Sequence, residues 1–121
     1  MTRISISGAS GRMGRVIASL AKERADCEII SGIDKITEKY DDFPIVGNVF
    51  DLPEKPDVII DFSHPSALPD LLSYCKMNGV PLVIATTGYS DEERSKITAA
   101  AGQTPIFFTF NMSLGINLLA E

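Results

Sequence analysis

Three glycines, Gly8, Gly11 and Gly14, stand between a strand-like run and a helix-like run at the start of the chain, with the spacing G-x-x-G-x-x-G. Residues 2–7 carry β-branched Ile4 and Ile6 and predict a strand. Residues 11–24 carry Met13, Val16, Ile17 and Leu20 at helical spacing and predict a helix with those four on its core-facing stripe. In such a turn one glycine permits the tight bend, the next lets an anionic group approach the backbone without meeting a Cβ, and the last lets helix and strand pack closely. The orphan N–H groups and the positive end of the helix dipole then face that anion. Taken alone, the pattern also fits a strand–helix turn that binds nothing.

The rest of the chain keeps alternating. Residues 27–33 predict a second strand, and the polar, proline-bearing stretch 34–56 reads as a loop with one short strand near 45–50. Residues 57–62, DVIIDF, are almost continuously apolar, as in a central strand covered on both faces. A helix is expected over 65–78, its regular part starting nearer Pro69 and ending at Gly79, followed by a central strand over 82–86. Ser90 and Glu93 have capping-box spacing, which predicts a helix over 91–101 closed by Gly102. A strand over 106–110 and the opening of a helix over 113–121 complete the reading. Strands alternating with helices define an α/β fold, here a Rossmann-type doubly wound, mainly parallel sheet with helices on both faces, as one domain over 1–121.

That context turns the glycine pattern into an expected dinucleotide site, with Gly8, Ala9, Ser10, Gly11, Arg12, Met13 and Gly14 holding the pyrophosphate and Arg12 adding a charged contact. Asp34 ends the second strand 20 residues beyond Gly14, where an acid accepts bonds from the adenosine ribose hydroxyls. Lys35 beside it would attract a 2′-phosphate, so both NAD and NADP are expected as cofactors and the preference stays open. A merely solvated role for Lys35 is nearly as good a reading. In open parallel sheets ligands lie at the carboxyl ends of the strands. Asp61-Phe62-Ser63-His64-Pro65, Ala85-Thr86-Thr87-Gly88 and Thr109-Phe110-Asn111-Met112-Ser113 occupy three such ends and offer hydroxyls, an amide and backbone groups suited to a nicotinamide and its ribose. Each hydroxyl, considered singly, also reads as a helix cap or turn residue. His64, the one imidazole, lacks a partner acid or base nearby in sequence and reads as a first-turn residue near the cofactor rather than a general acid.

Composition sets the outer limits. The net charge is −5, with basic residues scattered rather than run together, which argues against a nucleic-acid partner. Cys27 and Cys75 are far apart and, with one histidine, do not make a four-ligand zinc set, so no metal is expected. Both read as small buried hydrophobes in a reducing compartment. No apolar run approaches the ~20 residues of a membrane span, and the start shows a strand pattern rather than a signal peptide, so no membrane partner and a cytoplasmic location are expected.

GASGRMG at 8–14, DFS at 61–63, TTG at 86–88 and NMSLGIN at 111–117 together resemble the dihydrodipicolinate reductases, also called 4-hydroxy-tetrahydrodipicolinate reductases, of the diaminopimelate route to lysine. The resemblance covers the whole chain but only the amino-terminal half of a family member. It implies that Gly8 to Gly14 hold the pyrophosphate and that Asp34 and Lys35 address the ribose and any 2′-phosphate. It further implies that Ala85, Thr86 and Thr87, with Thr109, Phe110, Asn111 and Met112, surround the nicotinamide. Two departures touch the nicotinamide fit: Ala85 stands where many relatives have glycine, and Thr109-Phe110 replaces a pair of small residues or Ala-Pro.

The resemblance also implies a second domain, with a His-His pair, a following lysine and an APSGTA-like segment, that binds a cyclic dicarboxylate substrate and supplies a proton. None of that motif is in this sequence. The chain is therefore expected to bind NADH or NADPH without efficient turnover, and to self-associate through an apolar face over 106–119. The competing reading is a stand-alone, non-catalytic NAD(P)-binding or redox-sensing module. A sugar- or aldehyde-reducing relative is disfavoured because TTG and NMSLGIN occur together.

Overall fold

The computed structural model describes residues 2–63, 65–85, 92, 95, 97 and 105–108. Its elements are β1 (Thr2–Ser7), α1 (Arg12–Lys22), β2 (Cys27–Ile33), β3 (Ile45–Val46), β4 (Val58–Asp61), α2 (Leu68–Asn78), β5 (Leu82–Ile84) and β6 (Ile106–Phe108). Among the described residues the strands form one six-stranded sheet in the order β3-β2-β1-β4-β5-β6, every neighbouring pair parallel. Strand order reverses between β1 and β4. That reversal opens a crevice at the strand ends.

Alternation along the strands feeds two apolar layers, because successive side chains leave opposite faces of the pleat. Ile4, Ile6, Ile60 and Val83 pack with Ile17, Ala18 and Ala21 of α1 on one face. Ile33, Ile59, Leu82 and Ile84 pack with Leu68, Leu71, Tyr74 and Cys75 of α2, and with Ile97, on the other. Covering on both faces makes the sheet doubly wound. It also explains why β5, and β4 up to its last residue Asp61, are apolar.

Two elements depart from the sequence reading in informative ways. The buried face of α1 is Gly14, Ile17, Ala18 and Ala21, while Val16 is 41% exposed and Met13 and Leu20 are half-buried. Ile17 faces the core as expected, while Gly14, Ala18 and Ala21 around it are small and let α1 lie close against the sheet. Gly11 is the extended N-cap of α1 rather than its first turn, and the helix ends at Lys22, where Glu23 and Arg24 donate to the carbonyls of Leu20 and Ala21. The short strand near 45–50 stops after Val46 because Asn48 Oδ1 accepts the N–H of Phe50 and starts a 3-10 turn over Val49–Asp51.

The second helix follows expectation. A 3-10 turn over Pro65–Ala67 leads into α2, Pro69 sits in its first turn where no helical N–H is required, and Gly79 ends it in the left-handed conformation at φ +65°. Glu92, Ser95 and Ile97 are helical, inside the helix expected over 91–101. The capping pair Ser90 and Glu93, Gly102, the strand ends at Thr86 and 109–110, and the helix and apolar face expected over 106–119 beyond Phe108 lie outside the described residues. No helix among the described residues is long and apolar enough to cross a membrane.

Both cysteines are buried free thiols. Burial, with a smaller contribution from the Asp61 charge, pushes the Cys75 thiol from its ordinary 9.0 up to about 12. Between those values the native protein keeps a proton that the unfolded chain releases, so stability should fall as pH rises through this interval. Urea unfolding at stepped alkaline pH is expected to show that fall, and Cys75→Ala is expected to lessen it, leaving the smaller share that Cys27, Tyr40 and Tyr74 contribute with the same sign.

Candidate functional site

At the strand-order reversal lies a cleft of about 430 Å³ lined by the ends of four strands and the approach to α2. Ser7 ends β1 and Gly8 follows it, Ile33 ends β2 and Asp34 and Lys35 follow it, Gly47 follows β3, and Phe62 and Ser63 follow β4. Ser66, Ala67 and Asp70 close it from the α2 side.

Each glycine of the turn answers a different demand. Gly8 holds φ +85°, and a Cβ there would lie 2.9 Å from the Phe62 carbonyl carbon and the Ser63 nitrogen. Gly14 is locked from behind: its Cβ would stand 2.4 Å from the Gly8 oxygen and 2.8 Å from Ala9 Cα. Gly11 is different, since a Cβ would find only the Gly8 oxygen, at 3.4 Å, and the residue lines the cleft. The turn is thus packed at its two ends and open to a ligand in the middle.

The start of α1 is left uncapped. Gly11 gives it no side-chain cap, and the first helical bond runs from Arg15 N–H to the Gly11 carbonyl, so Arg12, Met13 and Gly14 begin the helix with their N–H groups ahead of that ladder. Arg12 is exposed on this turn and its side chain does not line the cleft. Met13 is half-buried beside it.

The polar backbone of the turn is satisfied mainly by the end of β2 and the segment that follows it. The Ile33 carbonyl accepts from both Gly8 N–H, at 2.8 Å, and Ala9 N–H, at 3.2 Å. Asp34 Oδ2 accepts the Ser10 N–H at 2.9 Å, and Ser10 Oγ donates to the Ile36 carbonyl at 2.7 Å. Asp34 therefore lines the cleft while also tying the turn to β2; Lys35 beside it is exposed.

Several residues that shape the turn escaped the sequence reading. Ala9 is fully buried against Gly32, whose own Cβ would come 2.5 Å from that of Ala9. A glycine inside a strand was an available signal of such a close approach. Tyr40 Oη donates to the Ala9 carbonyl at 2.6 Å, and Arg15 Nε donates to that of Ser10 at 3.2 Å. The Arg15 guanidinium stacks 4.2 Å over the Tyr40 ring. Burial pushes the Tyr40 hydroxyl above its ordinary range, which keeps it a proton donor. Nothing in the periodicity around Tyr40 marks it, because its segment has no regular structure.

On the far side, Asp61 is fully buried and its Oδ1 accepts from the N–H of Ser63, at 2.9 Å, and from its hydroxyl. Ala85 is half-buried at the end of β5, its N–H on the Asp61 carbonyl at 3.0 Å, and is not in the cleft lining. His64, Thr86, Thr87, Thr109, Phe110, Asn111 and Met112 lie outside the described residues.

A six-stranded parallel sheet in this order, with a glycine turn at the reversal and an acid closing the second strand, defines a Rossmann-type nucleotide-binding domain. The chain belongs to the dihydrodipicolinate reductase family, whose N-terminus model matches residues 2–112. It is 44% identical over 119 residues to the 4-hydroxy-tetrahydrodipicolinate reductase of Clostridium tetani, covering 98% of this chain and 47% of that protein. The reductase of Caldanaerobacter subterraneus is equally similar, at 44% over 119 residues and 47% of its length. The chain thus spans about half the length of the curated relatives it matches. Among solved structures, a dipicolinate-bound dihydrodipicolinate reductase from Paenisporosarcina sp. TG-14 superposes with a TM-score of 0.78 at 25% identity, over 98% of this chain and 50% of that one.

The glycine geometry separates fold from ligand. Gly14→Ala should destabilise the domain by about 1–3 kcal/mol in urea unfolding, because α1 must move off the turn. Gly11→Ala, at φ −78° and ψ 173° with no tight neighbour, should change stability by less than ~1 kcal/mol, the lower entropy of the unfolded chain offsetting the poorer N-cap.

Proposed function

We propose that this chain is the cofactor-holding part of a 4-hydroxy-tetrahydrodipicolinate reductase of diaminopimelate and lysine biosynthesis, and that it binds NADH or NADPH in the cytoplasm. The carrying observation is Gly11: it faces the cleft at an uncapped helix start, in a position where a Cβ meets almost nothing of the protein. A backbone kept bare where the fold does not require it suits close approach by a pyrophosphate.

In this reading the N–H groups of Arg12 and Met13 hold the pyrophosphate, with Gly8 to Gly14 shaping its seat and Arg12 adding positive charge. Asp34 and Lys35 face the adenosine ribose, Asp34 through the carboxylate capacity left by its bonds to Ser10 and Ile36. Ala85, Thr86, Thr87, Thr109, Phe110, Asn111 and Met112 form the nicotinamide end. The bound nicotinamide would supply a hydride to a cyclic, imine-like dicarboxylate. Residues 8–14 fix where the cofactor lies, and substrate binding and proton supply fall to a second domain such as the longer relatives have room for. The role of this chain is positioning, which converts an encounter of two molecules into an oriented transfer.

Calorimetric titration tests the reading. Both NADH and NADPH should bind the folded chain below millimolar concentration, and failure of both would refute it. Gly11→Ala should weaken both by roughly tenfold while leaving the fold intact, since its methyl group occupies the phosphate approach. Lys35→Ala should weaken NADPH about tenfold, the worth of one charge-assisted hydrogen bond, and NADH little. Equal losses would remove Lys35 from the 2′-phosphate.

A further inference from the structure

The turn's carbonyl groups pose a problem that its N–H groups do not. A carbonyl oxygen carries partial negative charge, so a peptide plane of the turn that rotated its oxygen into the cleft would repel a phosphate. Two such oxygens, those of Ala9 and Ser10, lie within the loop that must accept the anion. Both are engaged by side chains that do not line the cleft: Tyr40 Oη on Ala9 at 2.6 Å and Arg15 Nε on Ser10 at 3.2 Å. The two side chains also hold each other, with the guanidinium 4.2 Å over the ring and the ring edge-on to buried Phe43 at 5.6 Å between centroids. Gly8 and Gly11 line the cleft, whereas Ala9, Ser10, Arg15 and Tyr40 do not.

We propose that Tyr40 and Arg15 form a strap behind the glycine turn that keeps the Ala9 and Ser10 carbonyl oxygens out of the cleft and so holds the turn in its anion-accepting state. Tyr40 is a positioning residue: it acts through the Ala9–Ser10 peptides and touches no ligand. This rests on the dinucleotide reading of the cleft. The strap is carried by a segment without regular structure, anchored at its other end by the Phe43 ring in the apolar layer beneath α1. Packing of residue 43 is thereby coupled to the orientation of peptides that meet the phosphate.

The test compares a ligand that has a pyrophosphate with one that lacks it, using NMR titration of this chain with ADP and with adenosine. Tyr40→Phe removes one hydroxyl and should weaken ADP about fivefold, the scale of a single hydrogen bond, with adenosine within twofold of wild type. Arg15→Lys keeps the charge and removes the Nε donor, and should shift ADP in the same direction by a smaller factor. Any unfolded fraction depresses both ligands alike, so the ratio of the two affinities reports the turn and not stability. Unchanged ADP binding in Tyr40→Phe, or equal loss of ADP and adenosine, overturns the strap. If wild type binds ADP and NADH but the ratio does not move, the strap alone fails; if wild type binds neither, the nucleotide reading fails with it.

Discussion

A backbone-to-backbone contact, Gly14 of α1 against Gly8 and Ala9 at the end of β1, sets the geometry of everything around the cleft. With no Cβ at Gly14, the helix axis drops onto the sheet, and the inner face of α1 combines small Gly14, Ala18 and Ala21 with the single large side chain of Ile17. The same contact fixes where the helix begins. Its uncapped N–H groups consequently point at the strand-order reversal, where the sheet itself leaves a crevice.

Around that contact the turn is held by groups from elsewhere in the chain. The Ile33 carbonyl takes two N–H groups of the turn, Asp34 takes a third, and Tyr40 and Arg15 take two carbonyls. Nearly every polar atom of residues 8–10 is thereby committed to the protein. What remains for a ligand is the start of α1 and the bare surface of Gly11. Which backbone groups stay open to a ligand is set by the ones the fold has already occupied.

Asp34 shows how one residue serves two ends. Its position after β2 marks it from sequence as a ribose-facing acid, and the structure places it in the cleft lining. Its carboxylate also bonds the N–H groups of Ser10 and Ile36, at 2.9 and 3.3 Å. The glycine turn and the segment after β2 are therefore parts of one hydrogen-bonded unit.

Local physics made much of this legible in the sequence alone. Strand and helix periods are carried by neighbouring residues, so β1, β2, β4 and α2 are legible to within a residue or a few, and the glycine turn, Asp34 and Lys35 stand out as candidates because their spacing from β1 and β2 is short-range information. Family membership followed from four motifs whose order survives without coordinates. The tertiary structure decided what depends on contacts between distant segments. Gly32 is needed because Ala9 packs on it; the inner face of α1 is set by how closely Gly14 lets it approach; Tyr40, in a segment with no period to read, meets the turn 31 residues back. Periodicity reports a residue's own element, and only folding reports which element it must fit against.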